Sequence, residues 1–335
     1  MAIPMSSCFF LLLLILSLIL SISSSSWFGA WIGLELNLLS FIPLIATKMN
    51  SYSSEAALKY FLVQALASSL IIMSTSLALT YPYISSFIIL MALLLKMGAA
   101  PFHFWFPQVM MGLMWTQIII LMIIQKIAPM LLISYLMETN LILKTLILSA
   151  IFSAVVGALG GLNNMGLRKI MAFSSINHMS WMLMALTISE TMWLMYFIFY
   201  SVISISVILL FNYLQIYNIS SMLTLSPLTS ITPLAIPMAL LSMGGLPPFT
   251  GFIPKWILIQ IMVDSNMMIS LVFLLSSALI TLFFYLRIII PFFLLSSPSM
   301  SFYNKMKDNN KSMYFYSFIF LNLIGLMFPL TFIIP

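Results

Sequence analysis

The chain has 335 residues, of which 63% are hydrophobic and only 5% are charged, with a formal net charge of +6. Because a soluble domain carries roughly a quarter charged residues, this composition excludes a globular protein in water. Many apolar runs are about 20 residues long, the length of a helix that crosses a bilayer, and they lack the alternation of a membrane β-barrel. The sequence therefore predicts an all-α, polytopic membrane helix bundle that forms a single transmembrane domain over residues 1–335.

Eleven apolar spans with short connections are predicted along the chain. They cover residues 5–24, 27–46, 55–79, 84–106, 113–136, 141–162, 166–187, 191–215, 231–262, 267–293 and 313–334. Glycine and proline interrupt the fourth and ninth spans, which predicts two broken helices. The first span has no basic region before it and no small-residue cleavage site after it, so we expect a membrane helix there and no cleaved targeting segment.

The charges in the connections predict an orientation. Loops after the even spans are rich in basic residues, with two acidic residues as partial offsets: Lys48, Arg168, Lys169, Lys305, Lys307 and Lys311 against Glu55 and Asp308. Loops after the odd spans are acidic, with one lysine that does not fit: Glu138, Glu190 and Asp264 against Lys144. Because positive loops stay on the side from which insertion begins, we expect the N-terminus inside and, with eleven spans, the C-terminus outside.

A short motif occurs twice, once in each interrupted span. Residues 97–102 read MGAAPF and residues 243–249 read MGGLPPF, and each copy has a lysine nearby, Lys96 or Lys255. The copies lie five spans apart, and an odd offset inverts a repeat in the membrane. Paired broken helices are typical of ion sites in inverted-repeat transporters, so we predict an inverted five-helix repeat.

Rare ionisable side chains lie inside the predicted spans. They are Glu35, Lys59, Lys96, Lys126, His178 and Lys255. A lysine at the centre of a membrane helix costs about 2.5–3.5 kcal/mol on insertion scales, so a bundle built only for stability would lack these groups. The three central lysines cannot all be neutralised by one carboxylate, and we therefore interpret four residues as functional: Glu35, Lys96, Lys126 and Lys255.

Other polar residues have a structural interpretation that competes with a functional one. Four basic residues near span ends can extend to the membrane surface: Lys48, Lys144, Lys169 and Arg287. Lys59 lies about one turn into its span, where it can extend to the surface in the same way or pair with Glu35. His103 fits an interfacial or packing position. His178 fits a core histidine as well as a functional one.

The break beside Lys96 has a physical interpretation. A buried lysine can gain or lose its proton when a neighbouring charge moves, which is the chemistry of a proton relay. Interrupting a helix at mid-membrane frees backbone carbonyls and amides, and such backbone is tolerated only where it lines a cavity. We therefore interpret the stretch KMGAAPFHFWFP, residues 96–107, as a titratable lysine at a hydrated helix discontinuity.

The ligand inventory predicts that this chain binds no metal or redox cofactor itself. A single cysteine, Cys8, excludes an internal disulfide and a multi-thiolate cluster, and no GxGxxG or GxxxxGK[ST] motif is present. Haem ligation by His103 and His178 is a weaker alternative. The basic charge does not indicate nucleic acid, because much of it lies within or beside apolar spans.

Six segments together resemble a known family. They are GLELNLLSFIP, SEAALKYFLVQALASS, KMGAAPFHFWFP, QKIAP, SSINHMSWM and GGLPPFTGFIPKW. They resemble the antiporter-like subunits in the membrane arm of mitochondrial respiratory complex I, the NADH:ubiquinone oxidoreductase, from about residue 27 to about residue 290. The KMGAAPFHFW element alone is also similar to cation/proton antiporters.

The resemblance implies a fold and a set of site residues. The family has an inverted five-helix repeat, and its animal mitochondrial form has eleven spans because it lacks the first three of the bacterial fourteen. Glu35 matches the carboxylate beside the first broken helix, and Lys96 matches the lysine on that helix. Lys126 matches the central lysine, Lys255 the lysine of the second broken helix, and His178 a polar position between them. Lys59 is a lesser candidate for the same proton relay.

The resemblance also implies a function and a location. We expect a proton-translocating subunit of complex I in the mitochondrial inner membrane, with its N-terminus in the matrix and its C-terminus in the intermembrane space. NADH, FMN, iron–sulfur clusters and ubiquinone would bind other parts of the complex. The expected partners are other membrane-arm subunits, including other antiporter-like subunits, and lipids, cardiolipin among them. Two alternatives remain open: a free-standing cation/proton antiporter subunit and a structural membrane scaffold.

Overall fold

The structure is a computed structural model that describes residues 5–46, 50–137, 139–223 and 232–295. Every regular element in these ranges is helical, and the described residues contain one isolated β-bridge, Gly166–Asn218, and no strand. The prediction of an all-α helix bundle is therefore confirmed. The chain divides into two compact units, Met1–Ser153 and Ala154–Pro335, here called the first and the second unit. That the whole chain acts as one transmembrane domain stays a prediction.

The first unit contains three long helices, a broken helix and an irregular span. Its elements in chain order are α1 (Met5–Ser23), α2 (Trp27–Ile45), α3 (Ser51–Leu77), α4 (Pro82–Met97), α5 (Trp105–Gly112), α6 (Trp115–Ile119), a π-helical segment (Ile120–Ile124), α7 (Gln125–Ser134) and the first part of α8 (Asn140–Gly161). α2 and α4 both pack against α3, and α7 packs against α1 and α4. The predicted site residues of this unit lie on these helices.

The second unit is built around one central helix, α9. Its elements after the end of α8 are α9 (Leu167–Ile188), α10 (Glu190–Leu214), α11 (Ile219–Leu223), α12 (Thr232–Gly244), α13 (Phe252–Asp264) and α14 (Met268–Leu295). Every residue of α9 from Ser174 to Leu186 is buried, and the helix packs against α10 and α14. Polar side chains on this stretch of α9 are therefore enclosed by protein and not by lipid.

Serines inside the helices satisfy their hydroxyl groups locally. The Oγ atoms of Ser17, Ser153 and Ser242 each donate to the carbonyl three residues earlier, over 2.7, 2.8 and 2.7 Å. Because lipid offers no hydrogen-bond partner, polar groups of a spanning helix need an internal one. This local bonding explains how a serine-rich chain forms membrane helices.

Seven helices of the described residues are long and apolar enough to cross a membrane. They are Met5–Ser23, Trp27–Ile45, Ser51–Leu77, Trp115–Ser134, Asn140–Gly161, Glu190–Leu214 and Met268–Ile290. The predicted fourth and ninth spans are each split into two shorter helices, which confirms the two interruptions. The count of eleven stays a prediction, because the eleventh span, 313–334, lies outside the described residues. Lys48, Glu138 and the basic segment 305–311 lie outside them as well.

The first break ends α4 with a left-handed glycine. Gly98 has a φ of 71°. The Ala99 N–H donates to the Leu94 carbonyl over 3.1 Å, and the Gly98 N–H donates to the Leu95 carbonyl over 3.1 Å. This pair of bonds is the Schellman motif, which needs a residue in the left-handed region and therefore favours glycine.

The second break repeats this geometry at the end of α12. Gly245 has a φ of 75°, the Leu246 N–H donates to the Leu241 carbonyl over 3.3 Å, and the Gly245 N–H donates to the Ser242 carbonyl over 3.1 Å. Matching the two left-handed glycines shifts the sequence repeat by one residue, since Gly98 then corresponds to Gly245 and not to Gly244. The two breaks are thus alike in backbone, while the inverted five-helix repeat stays a prediction.

Candidate functional site

Lys96 lies in the last turn of α4, directly before the first break, and is only 6% exposed. The Glu35 carboxylate on α2 is near enough for the two charges to interact, but no ion pair joins them among the described residues. The Oε2 atom of Glu35 is buried and has no hydrogen-bond partner in the described part of the chain. The first unit therefore places a buried cation near a carboxylate without direct pairing.

Protein side chains bind two backbone carbonyl groups at the first break, one of which also accepts the Gly98 N–H. Gln64 Nε2 donates to the Lys96 carbonyl over 3.1 Å, and Trp105 Nε1 donates to the Leu95 carbonyl over 3.0 Å. Unpaired carbonyls at a buried helix end need such partners. The sequence predicted hydrated backbone at this break, whereas two of the carbonyls have protein donors.

Lys126 lies at the start of α7 and is 1% exposed. Its Nζ lies 5.6 Å from the centroid of the Phe106 ring, in a cation–π geometry. The π-helical segment Ile120–Ile124 directly precedes α7, and Pro129 lies inside α7. π-Helical turns are frequent at functional sites. The apolar sequence of this segment, ILMII, contains no feature that predicts a π-helical turn.

Lys255 lies in the first turn of α13, directly after the second break, and is 6% exposed. Its Nζ donates to the carbonyl of Gly244, the last residue of α12, over 2.9 Å. A cation at the C-terminal end of a helix is stabilised by the helix dipole. The side chain runs close across the break, because a Cβ added to Gly245 would lie 2.8 Å from Lys255 Nζ. The sequence placed Lys255 near the break but did not predict this bond.

His178 lies in the buried part of α9, is 8% exposed, and has its Nδ1 3.0 Å from the hydroxyl of Tyr196 on α10. The Tyr196 ring stacks on Trp181, with 6.4 Å between centroids and 5° between planes. Trp181 is also the ring that faces Lys255, with 5.8 Å between Nζ and the centroid. The aromatic pair Trp181–Tyr196 therefore lies between His178 and Lys255 within the second unit.

The two lysines at the breaks are not equivalent in position. Lys96 precedes the left-handed glycine of its break, and Lys255 follows that of the other. When the breaks are matched on these glycines, Lys96 corresponds to Met243, and Gln108 corresponds to Lys255. The repeated motif therefore carries its lysine before the break in one unit and after it in the other.

For Lys59 and His103 the sequence allowed more than one environment, and the structure shows one for each. Lys59 pairs with Glu55, one turn earlier on α3, over 2.6 Å, and the two side chains are 41% and 60% exposed. Its partner is thus Glu55 and not Glu35. His103 is 8% exposed, and its Nδ1 has no hydrogen-bond partner among the described residues, which fits a packing position better than an interfacial one.

The described residues contain no group of three or more His, Cys, Asp or Glu side chains arranged to hold a metal ion. Cys8, the single cysteine of the chain, is exposed. The absence of a cofactor from this chain stays a prediction.

The predicted site residues fall into one group in each unit. The first unit contains Glu35, Lys59, Lys96 and Lys126, and the second contains His178 and Lys255. Sequence reasoning missed the neutral residues that contact these groups or the backbone beside them, namely Gln64, Trp105, Trp181 and Tyr196. A glutamine inside an apolar span was a detectable signal for the first of them, since a buried amide needs a partner.

Comparison with known proteins gives consistent matches. The family profile described as "NADH:quinone oxidoreductase/Mrp antiporter, TM" matches residues 24–83 and 80–281. The NADH-ubiquinone oxidoreductase chain 2 of Anopheles gambiae is 47% identical over 311 residues, which cover 90% of this chain and 90% of that protein.

Two solved structures have chains of similar fold. A chain of respiratory complex I from Thermus thermophilus with bound aureothin matches with a TM-score of 0.83 and 23% identity, covering 98% of this chain and 79% of that one. A chain of the Mrp complex from Dietzia sp. DQ12-45-1b matches with a TM-score of 0.74 and 17% identity, covering 83% of this chain and 59% of that one.

The broken helices with buried lysines and the matching profile define an antiporter-like membrane protein. The chain belongs to the NADH:quinone oxidoreductase/Mrp antiporter family and, within it, to the NADH-ubiquinone oxidoreductase chain 2 proteins. The resemblance that the sequence motifs indicated is thereby confirmed.

Proposed function

We propose that this chain translocates protons as an antiporter-like subunit in the membrane arm of respiratory complex I. As an NADH-ubiquinone oxidoreductase chain 2 protein it is a multi-pass membrane subunit of the respiratory chain. The enzyme activity, H⁺-translocating reduction of ubiquinone by NADH, belongs to the whole complex. NADH, FMN, the iron–sulfur clusters and ubiquinone bind other parts of it.

The burial of three lysines in membrane helices carries this proposal. Lys96, Lys126 and Lys255 are 6%, 1% and 6% exposed. Each lysine at a helix centre costs about 2.5–3.5 kcal/mol on insertion scales, and charged residues inside a membrane mark ion or proton pathways. A purely structural lysine would be paired with a carboxylate, whereas neither Lys96 nor Lys255 is in an ion pair within the described residues.

The proposed relay uses these groups in turn. A change of charge near Glu35 alters the protonation of Lys96, and Lys126 receives the proton next. His178 and Lys255 then exchange it towards one membrane surface. The bond from Lys255 to the Gly244 carbonyl suits this role, because an ammonium donates a stronger hydrogen bond than a neutral amine. Quinone reduction elsewhere in the complex supplies the energy, and Lys59 stays a lesser candidate.

The location and partners belong to the same proposal. The chain lies in the mitochondrial inner membrane with its N-terminus in the matrix and its C-terminus in the intermembrane space, as the loop charges indicate. Its partners are other membrane-arm subunits, including other antiporter-like subunits, and lipids, cardiolipin among them. Eleven spans and an inverted five-helix repeat complete this description.

Two other functions compete with this one. The similarity to the Mrp complex, at 17% identity, concerns the fold, whereas the 47% identity is with a chain 2 protein of complex I type. That difference favours the complex I subunit over a free-standing antiporter. A structural scaffold has no use for lysines that cost stability at mid-membrane.

Substitutions of Lys96 test the relay. Lys96→Arg keeps the positive charge but cannot release its proton at physiological pH, and Lys96→Met removes the charge. Because Glu35 is not directly paired with Lys96 in this structure, we expect both complexes to assemble on native gels and to pump far below the wild-type rate in proteoliposomes. Lys144→Met, at an exposed lysine, is the matched control and should pump normally. An assembled Lys96→Arg complex that pumps at the wild-type rate would overturn the relay.

A further inference from the structure

A small polar cavity lies beside Lys96 in the first unit. Its volume is about 10 Å³, and it is lined by residues of four helices, including Asn37, Tyr60, Gln64, Lys96, Gln125 and Pro129. A cavity of about this size is at the lower limit for one water molecule and holds it only where polar groups supply hydrogen bonds. Five of the six residues named have polar side chains, so the cavity meets that condition.

The Lys96 ammonium needs a partner in this cavity. It carries three donors and no acceptor, and within the described residues it makes no hydrogen bond or ion pair. Buried charged groups are almost always hydrogen-bonded, because leaving them unsolvated is costly. Another cation is excluded by the charge of the ammonium itself, so the fitting occupant is a neutral acceptor of the size of water.

Gln125 supplies acceptors to the same cavity. Its Nε2 donates to Asn37 Oδ1 over 2.9 Å, which leaves its side-chain oxygen available to a water molecule. Pro129 has no N–H, so it cannot donate the usual helical bond to the Gln125 carbonyl four residues earlier. The cavity therefore has a strong donor on one wall and acceptors on another.

We propose that this cavity binds one water molecule between the Lys96 ammonium and Gln125, and that Asn37 and Gln125 are positioning residues for proton release from Lys96. The proposal rests on the relay function above. When Lys96 releases its proton, an N–H bond breaks and an O–H bond forms on the water. A neutral amine and a hydronium ion result, and the hydronium becomes water again when it passes one proton on.

The Asn37–Gln125 bond also fixes the start of α7. Gln125 is the first residue of α7 and the sequence neighbour of Lys126, and its bond to Asn37 ties it to α2. Asn37 therefore fixes the Gln125 side chain in the cavity. Through the backbone of α7 it also fixes the position of Lys126, the next lysine of the relay.

A map of the intact complex at a resolution that shows ordered waters tests the site directly. We expect one water at hydrogen-bond distance from both Lys96 Nζ and Gln125 in the wild-type complex. The water should be missing in Gln125→Leu, and the pumping rate should fall at least about tenfold, as for the loss of a group that positions a proton transfer. Gln125→Asn keeps a neutral amide acceptor without adding a charge beside Lys96 and should recover part of the rate.

Gln117→Leu is the matched control for a buried glutamine of the same span. Gln117 donates to the Leu44 carbonyl over 2.7 Å and does not line the cavity, so its loss should lower stability and leave the cavity water in place. A dry wild-type cavity, in a map that shows other buried waters, would reject the site. Wild-type pumping by Gln125→Leu would reject the positioning role. If Gln125→Leu fails to assemble, the wild-type map and Gln125→Asn still decide.

Failure of the relay itself gives a different result. In that case the Lys96→Arg complex pumps normally, whether or not the wild-type cavity holds its water. The water map and the pumping of the Lys96 variants therefore separate the two proposals.

Discussion

Alanine at Gly245 should damage the second break more than alanine at Gly98 damages the first. Both glycines have left-handed backbone, with φ values of 75° and 71°. An L side chain in that region costs about 1–2 kcal/mol. The backbone cost is therefore shared, and the difference between the variants comes from the neighbours of the new methyl group.

At Gly245 the neighbour is the Lys255 side chain. A Cβ there would lie 2.8 Å from Lys255 Cδ and 2.8 Å from its Nζ, so the side chain must shift, and we expect it to lose its 2.9 Å bond to the Gly244 carbonyl. A hydrogen bond from a charged group contributes about 1.5–3 kcal/mol. Added to the backbone cost, the loss is roughly 2.5–5 kcal/mol.

At Gly98 the nearest atoms belong to two aromatic side chains. The Cβ would lie 3.1 Å from Phe106 Cβ and 3.3 Å from Trp105 Cζ2. No charged group is displaced there, so the loss stays near the backbone cost of about 1–2 kcal/mol plus a small adjustment of the rings.

The assay compares both variants in the intact complex. We would measure the melting temperature of the purified complex, its NADH:quinone reductase rate and its proton pumping in proteoliposomes. Gly98→Ala should lower the melting temperature slightly and keep pumping, and Gly245→Ala should lower both. Equal effects of the two variants on pumping would refute the argument that Lys255 is held across the break.

Three further outcomes are expected. In a chain without the native cysteine, a cysteine at Asn163 should be labelled from the matrix side and one at Ser265 from the opposite side, because the loop charges predict that orientation; the reverse pattern would contradict it. Tyr196→Phe keeps the ring stack but removes the hydroxyl partner of His178, which should cost about 0.5–1.5 kcal/mol in thermal unfolding, and an unchanged melting temperature would show that the bond is not formed. Lys59→Met should change stability by no more than about 0.5 kcal/mol, since exposed i,i+4 pairs contribute about 0.2–0.5 kcal/mol, and a large loss of assembly on native gels would mean that Lys59 has another partner.

Several features of this protein follow from the sequence because their causes are local or compositional. A chain with only 5% charged residues cannot form a soluble domain. Within lipid, a single segment can pair its own backbone N–H and C=O groups only as a helix. The breaks follow from glycine beside proline, because glycine adopts the left-handed region and proline lacks an N–H. The rarity of lysine in membrane spans is enough to single out Lys96, Lys126 and Lys255 as unusual.

Only the tertiary structure decided which groups meet. Gln125 and Asn37 are 88 residues apart, Lys255 bonds backward to Gly244 across the break, and Lys59 has Glu55 as its partner. Helices that are apolar on all sides have no face that marks where a neighbour will pack. The partner of each polar side chain is therefore set by the packing of the helices around it, and no pattern in its own segment specifies that choice.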